Sequence, residues 1–241
     1  MPSFNQGRYL ESALESVFAQ NVSFEIYVMD GGSSDNSLEI LKRWDSRLTG
    51  WRSGPDGGQA CAINNGMRLG SAPYVCWLNS DDLFQPEGLA SLLEALKKKP
   101  AAPLAYGLCW NLQGETKRQW PVNVEPFSRK RLAARCIVAQ PATLIRRNAW
   151  ESVGGLDESL HMALDYDLWW RLFARFGEFA FVDNYVATNR VHADTKTRNF
   201  RRLHYKEAMS VVKRHNGHVP IRWWLAQPYS IWYKALIRQF L

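Results

Sequence analysis

The residues most able to do chemistry are Asp81 and Asp82, which follow the apolar segment Tyr74-Val75-Cys76-Trp77-Leu78. Adjacent carboxylates repel one another unless a cation or a hydroxyl-rich ligand sits between them. Mg²⁺ or Mn²⁺ prefers oxygen ligands and keeps coordination sites for substrate phosphates, so the pair suits a bound diphosphate. The same two residues could instead cap a helix starting near Pro86. A second acidic turn, Asp30-Gly31-Gly32-Ser33-Ser34-Asp35, follows Phe24 to Met29, and a third group is Asp165-Tyr166-Asp167. In the third group one carboxylate can face a cleft as a general base toward a hydroxyl while the other caps the next helix, or both can cap. His192, in the polar stretch Arg190 to Thr197, is either a metal ligand or phosphate donor or a surface-loop histidine. His215 and His218 flank Asn216-Gly217 and read as parts of a helix terminus, and Trp169 and Trp170 read as core.

These groups need a scaffold, and the apolar periodicity describes one. Tyr9, Leu10, Ala13, Leu14, Val17 and Phe18 recur at helical spacing. Phe24 to Met29 reads as a strand, followed by a turn and a helix bearing Leu38, Leu41 and Trp44. The pattern repeats as a turn at Gly54 to Gly58, a helix over Gln59 to Leu69 and a strand over Tyr74 to Leu78. Such alternation predicts an α/β fold with a mostly parallel central sheet flanked by helices. In such sheets ligands bind beyond the carboxyl ends of the strands, so the turns at Asp30 and Asp81 should share one rim. Gly88 to Lys98 presents leucines on one face of a helix. Beyond Pro100 the order becomes mixed. Leu104 to Leu112 and Lys117 to Trp120 resemble a hairpin, Ile137 to Ile145 a strand, Asp165 to Arg175 a helix, Phe179 to Thr188 short extended segments, and Phe200 to Arg214 a basic helix stopped at Asn216-Gly217.

With 241 residues, 46% of them hydrophobic, the chain can bury a substantial core. The net charge of +7 is concentrated at one end. From Lys196 onward ten Lys or Arg accompany a single acid, Glu207, leaving 20 basic and 22 acidic residues before it. That distribution argues against a nucleic-acid-binding domain. The four cysteines, Cys61, Cys76, Cys109 and Cys136, form no C-x-x-C pair and read as reduced structural residues in a cytoplasmic setting. No signal peptide is visible, and no apolar run approaches the roughly 20 residues of a bilayer span.

Taken in order, seven segments resemble the family two glycosyltransferases of the GT-A fold, particularly bacterial members that build surface polysaccharide. They are Pro2 to Leu10, Asp30 to Asp35, Asp56 to Gln59 with Ala62-Ile63-Asn64 and Gly66, Trp77 to Asp82, Gln140 to Thr143, Gly154 to Asp157, and Asp165 to Trp169. The resemblance implies a Rossmann-like nucleotide-sugar half over residues 1–100 and a mixed half for the acceptor and catalytic base over 101–197. It implies that Ser3 and Phe4 contact the base of a nucleotide diphosphate sugar, of the uridine type, that Asp30 hydrogen-bonds the base edge, and that the Asp56 to Gln59 loop closes over it. Asp81 would hold ribose or sugar hydroxyls, and Asp82 would bind Mg²⁺ or Mn²⁺, with His192 the candidate second metal ligand from its own polar stretch. Asp165 would be the base of an inverting transfer to a glycan or lipid-linked acceptor. The resemblance also implies an apolar strand of about five residues immediately before Met1, and without it neighbouring ladder groups should lack partners and base recognition should suffer.

Residues 198–241 are expected to form a basic, aromatic, helical tail. In Ile231 to Phe240 the apolar positions 231, 232, 235, 236 and 240 share a face, and basic flanks with tryptophans suit the inner surface of the cytoplasmic membrane, as does packing of a terminal helix on the domain. Two other readings compete with transfer. A nucleotidyltransferase should show a Gly-rich loop with Arg and Lys near its first strand, which is missing here. A non-catalytic nucleotide-sugar-binding protein is favoured by the missing strand.

Overall fold

The computed structural model describes residues 1–114, 116–193 and 195–229. In chain order the elements are β1 (Pro2–Ser3), α1 (Gly7–Phe18), β2 (Tyr27–Asp30), α2 (Ser37–Trp44), β3 (Gly50–Ser53), α3 (Gln59–Leu69), β4 (Tyr74–Val75), β5 (Leu83–Phe84) and α4 (Gly88–Lys98). The second half continues with β6 (Leu104–Gln113), β7 (Gln119–Pro121), α5 (Arg129–Ala134), a 3-10 turn (Gln140–Ala142), β8 (Thr143–Arg146), α6 (Arg147–Ser152), α7 (Leu164–Phe176), β9 (Ala180–Val191), α8 (Lys196–Asn199), α9 (Arg201–Asn216) and α10 (Ile221–Gln227).

The α/β class holds, with the strands divided between two sheets. β1, β2 and β3 form a parallel three-stranded sheet, and a mixed sheet runs β4-β8-β6-β9-β5 with β7 paired to β6. The first residues occupy the ladder position beside β2, because the Met29 N–H donates to the Met1 carbonyl at 2.9 Å and Pro2 pairs with Met29. The strand expected over Tyr74 to Leu78 is paired only at Tyr74–Val75 and runs antiparallel to β8. Gly50–Ser53 is an additional edge strand whose exposed Arg52 and Ser53 show no alternation. The segment Ile137 to Ile145 is divided between the 3-10 turn and β8, whereas the short pieces expected over Phe179 to Thr188 are one twelve-residue strand. Between β2 and β4 lies an apolar cavity of about 500 Å³ lined by residues such as Ile26, Tyr27, Ile63, Tyr74, Val75 and Trp77. None of the acidic site residues reaches it.

Two apolar clusters support the sheets. One gathers Leu10, Leu14, Ile40, Leu41, Leu92 and Leu96 from the stripes of α1, α2 and α4 around β2 and the inner face of β6. The other contains Trp77, Trp150, Trp169 and Trp170 with Ala208, Val211 and Val212 of α9 and Trp223 of α10. The boundary expected after Thr197 therefore does not set off a separate tail as far as Gln227: α9 and α10 contribute buried side chains to the body, and Trp223 Nε1 donates to the Ala133 carbonyl at 2.8 Å. The apolar face expected over Ile231 to Phe240 lies outside the described residues. No helix among the described residues is long and apolar enough to cross a membrane.

α4 rests directly on β9, the strand that leads to the candidate site. A Cβ added to Gly88 would lie 2.4 Å from the Val186 carbonyl oxygen, so the helix start approaches the strand backbone more closely than any other residue permits. Gly88→Ala should destabilise the protein by roughly 1–3 kcal/mol, as overpacking does elsewhere. Urea unfolding checks this, and an unchanged midpoint at unchanged slope would show that α4 has room to move.

Candidate active site

The parallel strands β1 and β2 end side by side, and Gly31 N–H donates to the Ser3 carbonyl at 2.9 Å. Asp30 is buried, and its own turn occupies its oxygens. Oδ2 accepts from Ser33 N at 2.9 Å, Gly32 N at 3.1 Å and Ser53 Oγ at 2.6 Å, while Oδ1 accepts from Ser33 Oγ at 2.5 Å. Asp30 thus builds the turn, with Oδ2 accepting three hydrogen bonds and Oδ1 one. Ser3 is likewise buried, with its Oγ directed inward and unbonded among the described residues. Phe4, by contrast, is 59% exposed. A Cβ placed on Gly31 would sit 3.3 Å from both Phe4 Cδ2 and Asp56 Oδ2, so an aromatic ring and a carboxylate flank an open glycine floor. Asp56 Oδ1 accepts from Gly58 N at 2.7 Å, which holds the loop ahead of α3 in place.

The two adjacent carboxylates behave differently. Asp82 is 2% exposed, with Oδ1 accepting from the Arg190 N–H at 3.0 Å and Oδ2 from Asn79 Nδ2 at 3.1 Å. Burial and the neighbouring Asp81 push its pKa well above the usual carboxylate range, and the two donors oppose them. Asp81 faces outward, with Oδ2 2.9 Å from His192 Nε2 and side-chain exposures of 19% and 7%. The His192 ring lies 4.8 Å from that of Tyr9. Arg190, its guanidinium 5.2 Å from the Tyr9 centroid, donates to Ser12 Oγ at 2.9 Å. A carboxylate oxygen and an imidazole nitrogen each about 2.1 Å from one octahedral cation would be about 3.0 Å apart, so this pair fits adjacent ligands of a divalent ion. No group of three or more His, Cys, Asp or Glu able to hold a metal occurs among the described residues. Two protein ligands would leave the remaining positions to phosphate and water.

A relay of amides joins this pair to the rest of the cleft. Gln59 Nε2 donates to Asn79 Oδ1 at 2.9 Å, and Lys196 Nζ donates to Gln59 Oε1 at 2.9 Å. On the other side Asn79 Nδ2 reaches Gln140 Oε1 at 3.2 Å, and Gln140 Nε2 donates to the Trp77 carbonyl at 2.7 Å. Desolvation lowers the Lys196 pKa, while Asp56 and Asp81 act to raise it, which places a cation among those two carboxylates. Sequence reading assigned no role to Gln140, Arg190 or Lys196. The Gln140-Pro141 segment and the charge density around His192 were the available signals.

Asp165 is the second residue of α7 and is half-buried, with Oδ1 accepting from Tyr166 N at 2.8 Å. Desolvation raises its pKa to about 6. Such a value suits a general base, because the group is ionised at neutral pH yet retains affinity for a proton. Asp167 does not cap α7. It is 1% exposed and accepts from Arg171 Nε at 2.7 Å and His215 Nε2 at 2.8 Å. Burial opposes its ionisation, but His215 and Arg171 prevail and hold its pKa below the usual range. His215 is therefore more than an incident of a helix end. Trp169 and Trp170 are core, as expected.

The family model for glycosyl transferase family 2 matches residues 1–153. The chain is 27% identical over 203 residues to a chondroitin synthase of Pasteurella multocida, covering 80% of this chain and 20% of that one. It is 32% identical over 170 residues to a glycosyltransferase of Mycobacterium tuberculosis, covering 68% and 64%. The chain thus spans from a fifth to just under two thirds of the length of these curated relatives. Among solved structures, S. aureus TarS in complex with UDP superposes with a TM-score of 0.68 at 17% identity, over 89% of this chain and 63% of that one. The mannosyltransferase PcManGT from Pyrobaculum calidifontis, in complex with GDP-Man and Mn2+, gives 0.68 at 17% identity over 98% and 71%. At these identities the likeness establishes the GT-A fold.

The raised pKa of Asp165 has a stability consequence. Between about pH 4 and pH 6 the native state binds a proton that the unfolded chain has released, so stability falls as pH rises through this window. From the shift of 3.8 to about 6, Asp165→Asn should stabilise the protein at pH 7.5 by about 1–3 kcal/mol and by almost nothing at pH 4. Denaturant melts at both pH values check it. An equal effect at the two would remove the desolvated carboxylate as its cause.

Proposed function

The chain belongs to glycosyl transferase family 2, and from that premise we propose that it moves a sugar from a nucleoside diphosphate donor to a hydroxyl acceptor, with a divalent cation and with inversion at the anomeric carbon. The observation that carries this reading is the part-buried Asp81–His192 pair at 2.9 Å, in which Asp81 is the more exposed of two adjacent aspartates. The metal role expected for Asp82 passes in this proposal to Asp81. Both oxygens of Asp82 are already bonded to backbone and amide donors, whereas Asp81 reaches a histidine.

Phe4 and Asp56 would receive the base across Gly31. Asp81 and His192 would hold Mg²⁺ or Mn²⁺, which when bound neutralises charge on the departing diphosphate. Lys196, tied to Gln59, would add a second positive charge there. The Asp165 carboxylate takes the acceptor hydroxyl's proton as its oxygen attacks the anomeric carbon. The carbon–oxygen bond to the diphosphate breaks in the same displacement, and a nucleoside diphosphate leaves. UDP and UDP-GlcNAc in TarS, and GDP-Man with Mn2+ in PcManGT, support this class of donor. The synthase relatives support a role in polysaccharide assembly. Ile221, Trp224 and Leu225 stand exposed on α10 beside Arg222, which supports an acceptor presented at the inner face of the cytoplasmic membrane.

With Mn²⁺ and a panel of nucleotide sugars, the protein should release nucleoside diphosphate. Asp81→Ala should cut the rate at least 100-fold and abolish Mn²⁺ dependence, whereas Asp82→Asn, which keeps an acceptor for Arg190 N–H, should retain that dependence. Asp165→Asn should bind donor as the wild type does and stop transfer. Donor bound with no turnover under any metal would leave a binding protein, and loss of Mn²⁺ dependence in Asp82→Asn alone would return the metal to Asp82.

A further inference from the structure

Glu207 is the single acid among ten Lys and Arg from Lys196 onward, yet its carboxylate is committed to backbone. Oε2 accepts from Met162 N at 2.8 Å and Ala163 N at 3.0 Å, and His161 N lies 3.2 Å from both oxygens. These three N–H groups immediately precede α7, whose first residue is Leu164 and whose N-cap, Ala163, carries no side-chain acceptor. The opening turn of a helix needs acceptors for its free N–H groups and favours negative charge. Glu207 brings that negative charge from another helix and accepts from the N-cap residue and the two residues before it. Farther along α9, His215 reaches the buried Asp167 at 2.8 Å, with Arg214 3.4 Å from the same oxygen. α9 therefore grips α7 on either side of Asp165, at 161–163 and at 167.

The geometry points to Glu207 as a positioning residue for Asp165: its carboxylate fixes the backbone turn from which the base projects, so that α9 serves transfer without touching substrate. The inference rests on the reading of Asp165 as the base. A carboxylate receiving three backbone N–H groups leaves that turn few alternative arrangements, and small displacements of a base from its proton carry large rate penalties. None of the residues assigned to the donor, Phe4, Asp56, Asp81 or His192, is bonded to Glu207.

The test uses the full chain, Mn²⁺, and UDP-GlcNAc or GDP-mannose, whichever loses its nucleoside diphosphate faster to the wild type. Glu207→Ala should lower kcat at least 10-fold, leave donor Kd within twofold, and accelerate amide hydrogen exchange over residues 161–166 at least 10-fold. Glu207→Gln, which keeps one acceptor oxygen, should fall between it and the wild type, and it serves if the alanine variant does not fold. Asp165→Asn should stop turnover with those amides still protected. Unchanged exchange over 161–166 would overturn the clamp whatever the rates. Faster exchange with undiminished kcat would overturn the positioning role, as would a kcat loss matched by an equal loss of donor affinity. Persistent turnover in Asp165→Asn, by contrast, would sink the base reading itself while the exchange data still report on the clamp.

Discussion

The burial of the Asp82 carboxylate is the constraint on which the rest of the cleft depends. A carboxylate removed from water is costly unless donors compensate it, and here they come from two separate places, the Asn79 amide in its own loop and the Arg190 N–H on β9. The loop after β4 and the end of β9 are thereby locked at one register. That register carries Asp81 outward on one side and His192, two residues beyond Arg190, on the other. Slipping β9 by one residue would reverse its side chains and dissolve the pair.

The sides of the cleft proposed for the nucleotide and for the base have different scaffolds, the three-stranded parallel sheet and the mixed sheet with α7. They communicate through neutral amides. Asn79 sits at the centre, accepting from Gln59 and donating to Gln140, which in turn holds the Trp77 carbonyl where the β4 ladder has stopped. Each amide both donates and accepts, so the chain can run through the cleft without adding charge to a region already carrying Asp81, Asp82 and Asp56. An acid in place of Gln59 or Gln140 would increase that repulsion, and an apolar residue at 59 would leave the Asn79 carbonyl oxygen without its donor.

Much of the fold was legible because its signals are local. The leucine stripes of α1 and α4, the turn at Asp30, the hairpin after Leu104 and the helix following Asp165 each announce themselves within a dozen residues. What could not be read depends on distant pairing. β9 looked broken because polar Asp183 and Asn184 interrupt it, yet β6 runs alongside and absorbs the irregularity in register shifts around Leu108. Two consecutive aspartates show no local sign of which will turn inward, since the donor that selects Asp82 lies 108 residues away. Asp30 resembled a ligand for the same reason it is a good turn residue: a short carboxylate accepts from nearby N–H groups, and here those of Gly32 and Ser33 reach it first.

The basic C-terminal region shows how composition misleads when its partners are out of view. Ten cations and one acid suggested a basic tail beyond the domain, and two of the interactions that matter most there involve the acid and a histidine. Asp167 is buried and needs hydrogen-bond donors, which Arg171 supplies from its own helix and His215 and Arg214 supply from α9. Glu207 supplies the opposite charge to a helix start that lacks its own cap. The two helices are thus complementary at both contacts, with a buried acid of α7 answered by His215 and Arg214 of α9 and the positive end of α7 answered by an α9 acid. Apolar packing of Val211 and Val212 alone would allow α9 to slide along α7, since apolar contacts are non-directional. The polar contacts remove that freedom, and they do so on either side of Asp165, the residue proposed as the base.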